Sequence, residues 1–213
     1  HGCALLAVLA TERGMAGAEV GMLLRKSRQE PVVLSEAVFR RIADTAAPQG
    51  VAAEIEIPEP GSRRGDTVFL EGLQDPANVG AILRSSAAFG VAQVVLNTDC
   101  ADPWSPKTLR AGMGGHFELS VRHAENLAKE LAAFRGTLVC SVPKGGKTLA
   151  EARLARPIGW LFGGEGAGLS EETIRRALVA VTIPMAGGTE SLNVAAAAAV
   201  CFYEAFSRSA AGS

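Results

Sequence analysis

Thr67-Val68-Phe69-Leu70-Glu71-Gly72-Leu73-Gln74-Asp75-Pro76-Ala77-Asn78-Val79-Gly80-Ala81-Ile82-Leu83-Arg84 is the stretch that decides the fold. Thr67–Leu70 reads as an apolar strand, Pro76 stops it, and residues 78–89 take on helical spacing before a second strand, Gln93–Asn97. The alternation continues, with strands at Thr137–Val142, Gly159–Gly163 and Ala180–Pro184 and helices over 123–134, 170–178 and 191–207. Repeated strand–helix units predict an α/β fold, a mostly parallel sheet with helices on both faces. Ligands of such sheets bind where loops leave the carboxyl ends of the strands, which directs attention to the segments after Leu70, Gly163 and Pro184.

Upstream the pattern differs. Val32–Leu34 reads as a strand, and Ser35 caps a helix running to about Asp44, with Val38, Phe39 and Ile42 on one face. Val51–Ile57 alternates like another strand. Residues 58–65 hold two prolines and two glycines in eight positions, which no helix or central strand tolerates, so they read as a linker. Roughly 57 residues is marginal for an independent core. The chain opens at His1 rather than Met, and this N-terminal part is read as partial.

Composition narrows the class. Of 213 residues 48% are hydrophobic, which excludes a disordered or collagen-like chain. The longest apolar run, Val194–Tyr203, is about half a membrane span, and no signal peptide is read, so a soluble, cytoplasmic protein is expected. Net charge is −1, and residues 1–65 balance eight Lys and Arg against eight Asp and Glu, so any polyanion must be met by local patches. Cys3, Cys100, Cys140 and Cys201 lie far apart with no ligand spacing, which favours free thiols and no metal.

Two phosphate-loop readings fail. Gly145-Gly146-Lys147-Thr148 lacks the glycine a P-loop needs at position 141, which is Ser, and no GxGxxG follows the first strand. Three other segments hold convergent polar groups. Asp75–Arg84 brings Asn78 to a helix start and Arg84 six residues on; the bland reading is a capped helix with a solvated Arg. Leu161-Phe162-Gly163-Gly164-Glu165-Gly166-Ala167-Gly168-Leu169-Ser170 has four glycines that let a ligand approach the backbone. Its Glu165 would repel an anion and suits a positive or neutral ligand, and Ser170 caps the helix that follows. Ile183–Val194 clusters Thr189, Ser191 and Asn193 at the start of an alanine-rich helix, with plain capping by Ser191 as the competing reading.

NVGAILR, FGGEGAGLS and IPMAGGTESLNVAAAAAV, in that order and spacing, resemble the three motifs of the SpoU (TrmH-type) RNA ribose methyltransferases of the SPOUT superfamily. The resemblance covers about residues 66–207; Lys107–Phe117 is similar to the family's connecting segment and Ala46–Gly50 to the end of its small N-terminal domain. It implies methyl transfer from S-adenosylmethionine to a ribose 2′-hydroxyl in structured rRNA or tRNA, a C-terminal trefoil knot and a homodimer. Residues 1–57 would be an RNA substrate-binding domain and 66–213 the methyltransferase domain. Carried over residue by residue, Gly163, Gly164, Gly168, Ile183, Leu192, Ser141 and Val142 are expected at the cofactor, and Asn78, Arg84, Glu165, Ser191 and Asn193 in the catalytic set. The family gives proton acceptance to the motif-one Arg; a guanidinium pKa above about 12 favours instead a phosphate- and alkoxide-stabilising role for Arg84. Arg63, Arg64, Arg110 and the cluster Arg25, Lys26 and Arg28 are expected RNA contacts. The rival is a catalytically silent RNA-binding protein on the same scaffold, against which the intact Asn78, Arg84, Ser191 and Asn193 weigh.

Overall fold

In the computed structural model, which describes residues 3–43, 45–61, 63–187 and 191–211, the chain divides into two units, one ending at Glu59 and one beginning at Pro60. The first holds a three-stranded sheet in which β1 (Leu5–Ala10) is central, parallel to β2 (Val32–Val33) and antiparallel to β3 (Val51–Ile55). Helices α1 (Glu12–Met15), α2 (Ala18–Ser27) and α3 (Glu36–Ile42) connect the strands. Ser35 caps α3 by accepting the Val38 N–H, as its position predicts. The expected apolar face of this helix is corrected: Phe39 is buried, but Val38 and Ile42 are about half exposed. Strand β1 and helix α2 were not expected. Leu5–Ala10 is apolar at every position, so its alternating burial leaves no period in the sequence.

The second unit is built on seven strands in the order β6-β5-β4-β9-β7-β10-β8, every neighbouring pair parallel. They are β4 (Thr67–Glu71), β5 (Gln93–Asn97), β6 (Ser120–Ala124), β7 (Thr137–Ser141), β8 (Lys147–Thr148), β9 (Ile158–Gly163) and β10 (Val179–Thr182). Helices α4 (Pro76–Ala88), α5 (Pro106–Gly112), α6 (Leu127–Ala133), α7 (Glu171–Arg176) and α8 (Val194–Ala211) cover the sheet, with a 3-10 turn at Gly115–Glu118. The helix expected over 123–134 is shorter: β6 takes Ala124, and Asn126 starts α6 by accepting the Lys129 N–H. No helix among the described residues is long and apolar enough to cross a membrane.

Alternation along the central strands divides the core between the two faces. Val68, Leu70, Val94, Leu96, Trp160 and Phe162 pack with Ile82 and Leu83 of α4 and Phe202 of α8. Phe69, Val95, Cys140 and Leu161 face the other way, onto Leu127 and Leu131 of α6. Burying each such side chain contributes roughly 1.5–3 kcal/mol. From β4 the chain steps outward to β5 and β6, then crosses to β7, and β9 is later inserted between β4 and β7. This reversal opens a crevice at the carboxyl ends of β4, β9 and β7, where a parallel sheet binds its ligand.

Candidate active site

A cavity of about 730 Å³ lies at the carboxyl ends of β9, β7 and β10. Ser141 and Val142 at the end of β7, Gly163, Gly164 and Gly168 at and beyond the end of β9, Ile183 after β10, and Leu192 before α8 all line it, the complete set expected at the cofactor. Phe162, Leu169, Ile174 and Val194 add apolar wall. Of these Ile174, on α7, lies outside the three motifs and carries no sequence signal beyond an apolar residue in a short helix. The β7 side of the wall is tied to β10: Val142 N–H donates to Val181 O (2.9 Å), and Thr182 Oγ donates to Val142 O (3.1 Å).

Beyond lining the cavity, the glycine loop serves the chain's own packing. Gly163 and Gly164 are pressed against protein backbone: a Cβ on the first would lie 2.1 Å from the Gly168 carbonyl carbon, and on the second 2.2 Å from Gly72 O. Gly166 and Gly168 adopt positive φ, 95° and 69°, which L side chains rarely do. The loop closes on itself through Gly168 N–H to Gly164 O (2.9 Å). The glycines thus shape a tight turn whose outer side bounds the cavity.

That turn carries Glu165, and here the three motifs meet. Asn193 caps α8, its Oδ1 accepting the N–H groups of Ala195 (3.0 Å) and Ala196 (3.3 Å), so the cap is Asn193 and not Ser191. Capping fixes the amide orientation. Its Nδ2 donates to Asn78 Oδ1 (2.9 Å) and Glu165 Oε1 (3.0 Å). Asn78, whose oxygen is thus an acceptor, donates its Nδ2 to the same Glu165 Oε1 at 2.8 Å. The two amide donors thus converge on one carboxylate oxygen. Asn78 is held in turn by the start of α4, where Asp75 accepts the Ala77 N–H (3.0 Å). A Cβ on Gly80 would sit 2.5 Å from Thr108 O, so only glycine lets α4 approach α5 this closely.

Glu165, Ser191 and Asn193 line the cavity; Asn78 and Arg84 do not. Asn78 joins through its two partners. Arg84 lies on the same helix but is exposed, and makes no ion pair or hydrogen bond among the described residues. Thr189 lies outside the described residues. Of the expected RNA-binding residues in the second unit, Arg63, Arg64 and Arg110 do not line the cavity. In the second unit Arg63 donates to the Glu118 carbonyl, and Arg64 and Arg110 are exposed. In the first unit Arg25 and Lys26 sit exposed in the last turn of α2, with Arg28 at its left-handed C-cap. Cys100, Cys140 and Cys201 are buried free thiols; burial pushes the Cys201 thiol up to about 12. Among the described residues no group of three or more His, Cys, Asp or Glu could hold a metal ion.

Comparison with known proteins agrees with this geometry. The sequence model of the SpoU rRNA methylase family matches residues 66–203. An uncharacterized tRNA/rRNA methyltransferase of Synechocystis is 40% identical over 182 residues, 81% of this chain and 66% of that protein. The 23S rRNA (guanosine(2553)-2′-O)-methyltransferase RlmP of Bacillus subtilis is 33% identical over 174 residues, 80% of this chain and 70% of that protein. The chain therefore spans about two thirds of the length of these curated relatives. The SpoU methyltransferase AviRb of Streptomyces viridochromogenes, solved in complex with AdoMet, superposes with a TM-score of 0.83 at 26% identity, over 99% of this chain and 85% of that one. With the match running from the first strand of the parallel sheet through the cavity and into α8, the chain belongs to the SpoU rRNA methylase family.

Proposed function

We propose that this chain transfers a methyl group from S-adenosylmethionine to a ribose 2′-hydroxyl of structured RNA, rRNA or tRNA. The observation that carries the reading is the hydrogen-bonded cluster of Asn78, Glu165 and Asn193 at the edge of the cavity. The cavity suits the cofactor: its size fits a nucleoside-sized ligand, Phe162, Leu169, Ile174 and Val194 give it an apolar wall, and the Glu165 carboxylate on its border favours a cationic ligand over a phosphate. Backbone groups of Ser141, Val142, Gly163, Ile183 and Leu192 would hold it. When bound, S-adenosylmethionine supplies a sulfonium methyl, whose carbon–sulfur bond breaks toward sulfur as the new carbon–oxygen bond forms.

The residues of the chain must align the hydroxyl and let its proton leave. Glu165 Oε2, unlike Oε1, has no hydrogen bond among the described residues and is free to accept from the ribose hydroxyl. Ser191, also on the cavity wall, orients the sugar. Arg84 holds the adjacent phosphate and stabilises charge developing on the oxygen. Because Arg84 does not line the cavity of its own chain, the reading includes a homodimer in which each subunit lends Arg84 to the other's site. The α8 surface supports that: Ala196, Val200, Tyr203 and Phe206 form an exposed stripe at helical spacing, and Phe89 joins it with ring centroids 5.9 Å from Tyr203 and 6.0 Å from Phe206. The reading also includes a trefoil knot around the cavity, RNA selection by the first unit with Arg25, Lys26 and Arg28, and further RNA contacts at Arg63, Arg64 and Arg110.

The test is incubation of the purified chain with labelled S-adenosylmethionine and total cellular RNA, followed by nuclease digestion and mass analysis. 2′-O-methyl nucleosides are expected. Base methylation would overturn the reading. Cofactor and RNA binding with no transfer would leave the silent RNA-binding protein in its place.

A further inference from the structure

Glu71, the last residue of β4, takes part in none of the roles above, yet it bonds to both ends of the loop that carries Glu165. Its carbonyl accepts the Gly164 N–H at 2.9 Å. Its carboxylate accepts twice from Ser170, the N–H onto Oε2 at 3.0 Å and the hydroxyl onto Oε1 at 2.8 Å. Ser170 is also the N-cap of α7, its Oγ accepting the Thr173 N–H at 3.2 Å. One residue of the central sheet therefore grips where the loop leaves β9 and where it enters α7.

Between these two grips the chain is rich in glycine, and Gly166 and Gly168 at positive φ have no side chain to pack. Glycine gains the most freedom when a segment loosens, so this loop needs an external restraint to keep one shape. The Gly168–Gly164 hydrogen bond closes the turn but does not anchor it to the sheet. The charged hydrogen bonds to Glu71 do. What the turn holds out is Glu165, with one carboxylate oxygen engaged by Asn78 and Asn193. A shift of about 1 Å in a reacting group lowers rates by as much as ~10²-fold.

We propose that Glu71 is a positioning residue for the transfer reaction: by clasping Ser170 and Gly164 it holds the glycine loop so that Glu165 meets Asn78 and Asn193 at the cavity edge. This rests on the methyltransferase reading given above. Glu71 touches neither cofactor nor RNA and acts through Glu165. A glutamine at 71 retains the backbone grip on Gly164 but loses the carboxylate charge that strengthens both bonds to Ser170, and its amide NH2 takes the place of the oxygen that accepts the Ser170 hydroxyl.

The experiment is a double-mutant cycle in the full chain, read by single-turnover methyl transfer at saturating cofactor. Glu71→Gln is expected to lower the rate about tenfold in the wild-type background and less than about twofold in Glu165→Gln, since residues acting through one another are not additive. A merely structural contribution would cost the same factor in both backgrounds, and that result overturns the proposal, as does a wild-type rate for Glu71→Gln. Hydrogen exchange supplies a readout independent of activity: the amides of Gly164, Gly168 and Ser170 are expected to exchange faster in Glu71→Gln while α4 is unchanged. Should Glu71→Gln fail to fold, Ser170→Ala removes one of the same bonds and takes its place, with the same non-additivity required. If the wild-type chain itself neither binds the cofactor nor transfers methyl, the methyltransferase reading has failed; faster loop exchange in the variant would still show the clasp.

Discussion

The two ends of α4 differ in a way that organises the site. At its start Asn78 is wired into Glu165 and Asn193, each amide orientation dictated by the next partner. Two turns on, Arg84 is exposed, with no hydrogen bond or ion pair among the described residues. A cluster that satisfies itself within one chain is preorganised before anything binds. A guanidinium left free is available to a group the chain does not supply, a phosphate or a second subunit's site. Cofactor handling should therefore survive damage at the Arg84 end, and chemistry should not.

Arg84→Ala gives the largest expected effect, a loss of about 10²–10³ in transfer rate, typical of removing one preorganised donor. Cofactor affinity by calorimetry should stay within about threefold. Lysine should not rescue it, because a point charge cannot reproduce a planar fork. Mixing also tests which chain Arg84 serves. Arg84→Ala and Glu165→Gln subunits, each far slower than wild type alone, should regain about a quarter of wild-type activity on random exchange if sites are shared across a two-fold dimer. No recovery would confine Arg84 to its own subunit, and unchanged activity of Arg84→Ala would remove it from the mechanism.

The Asn78 end can be broken with finer control. Asn193→Ala loses the cap of α8 and should lower unfolding free energy by about 1 kcal/mol in urea titrations. Asn193→Asp keeps the capping oxygen but replaces the donor with a second carboxylate beside Glu165. Its stability should remain near wild type while transfer falls about tenfold, an order-of-magnitude figure for one misplaced polar contact. If both variants lose activity only in proportion to stability, the cluster is a helix cap and no more.

Much of this site was legible in the sequence because polar residues clustered where a strand turned into a helix. Asn78, Glu165 and Asn193 lie in three segments far apart in the chain, and only the strand order joins them. What could not be read was which oxygen faces which nitrogen, since Asn193 and Ser191 are both good caps and tertiary contact chose between them. The packing of Gly163 and Gly164 on the chain's own backbone was hidden for a related reason: close approach by backbone and by a ligand call for the same residue type. Strand β6 was hidden because Ser120-Val121-Arg122-His123-Ala124 has only two apolar residues; its Arg122 is drawn in by a bidentate pair with Glu130 (2.6 and 2.9 Å). Half-exposed Val32, Val33, Val38 and Ile42 made the first unit look better packed in sequence than it is.

The smallest expected effect lies behind the Arg84 end, at His116. This imidazole is 1% exposed, beside Trp104, and shares the 3-10 turn whose Gly115 packs onto the Arg84 backbone. Pro103 O lies 2.7 Å from Nε2 and can only accept, so Nε2 carries the hydrogen. Nδ1 is buried without a partner among the described residues, close to Gly112, and a proton added there would find no acceptor among them. Burial accordingly holds the His116 pKa below its usual value of 6.5. Below that value the unfolded chain takes up the proton more readily than the folded one. The contribution to stability is therefore fully present above pH 6.5 and declines as pH falls below it, levelling only below the folded pKa. Urea midpoints measured down from pH 7.5, stopping above the carboxylate range, should fall for wild type and stay flatter for His116→Gln. Hydrogen exchange over the same window should quicken in the second half of α4 before it does so at Asn78. Equal slopes for the two proteins would show that His116 is not the group responsible.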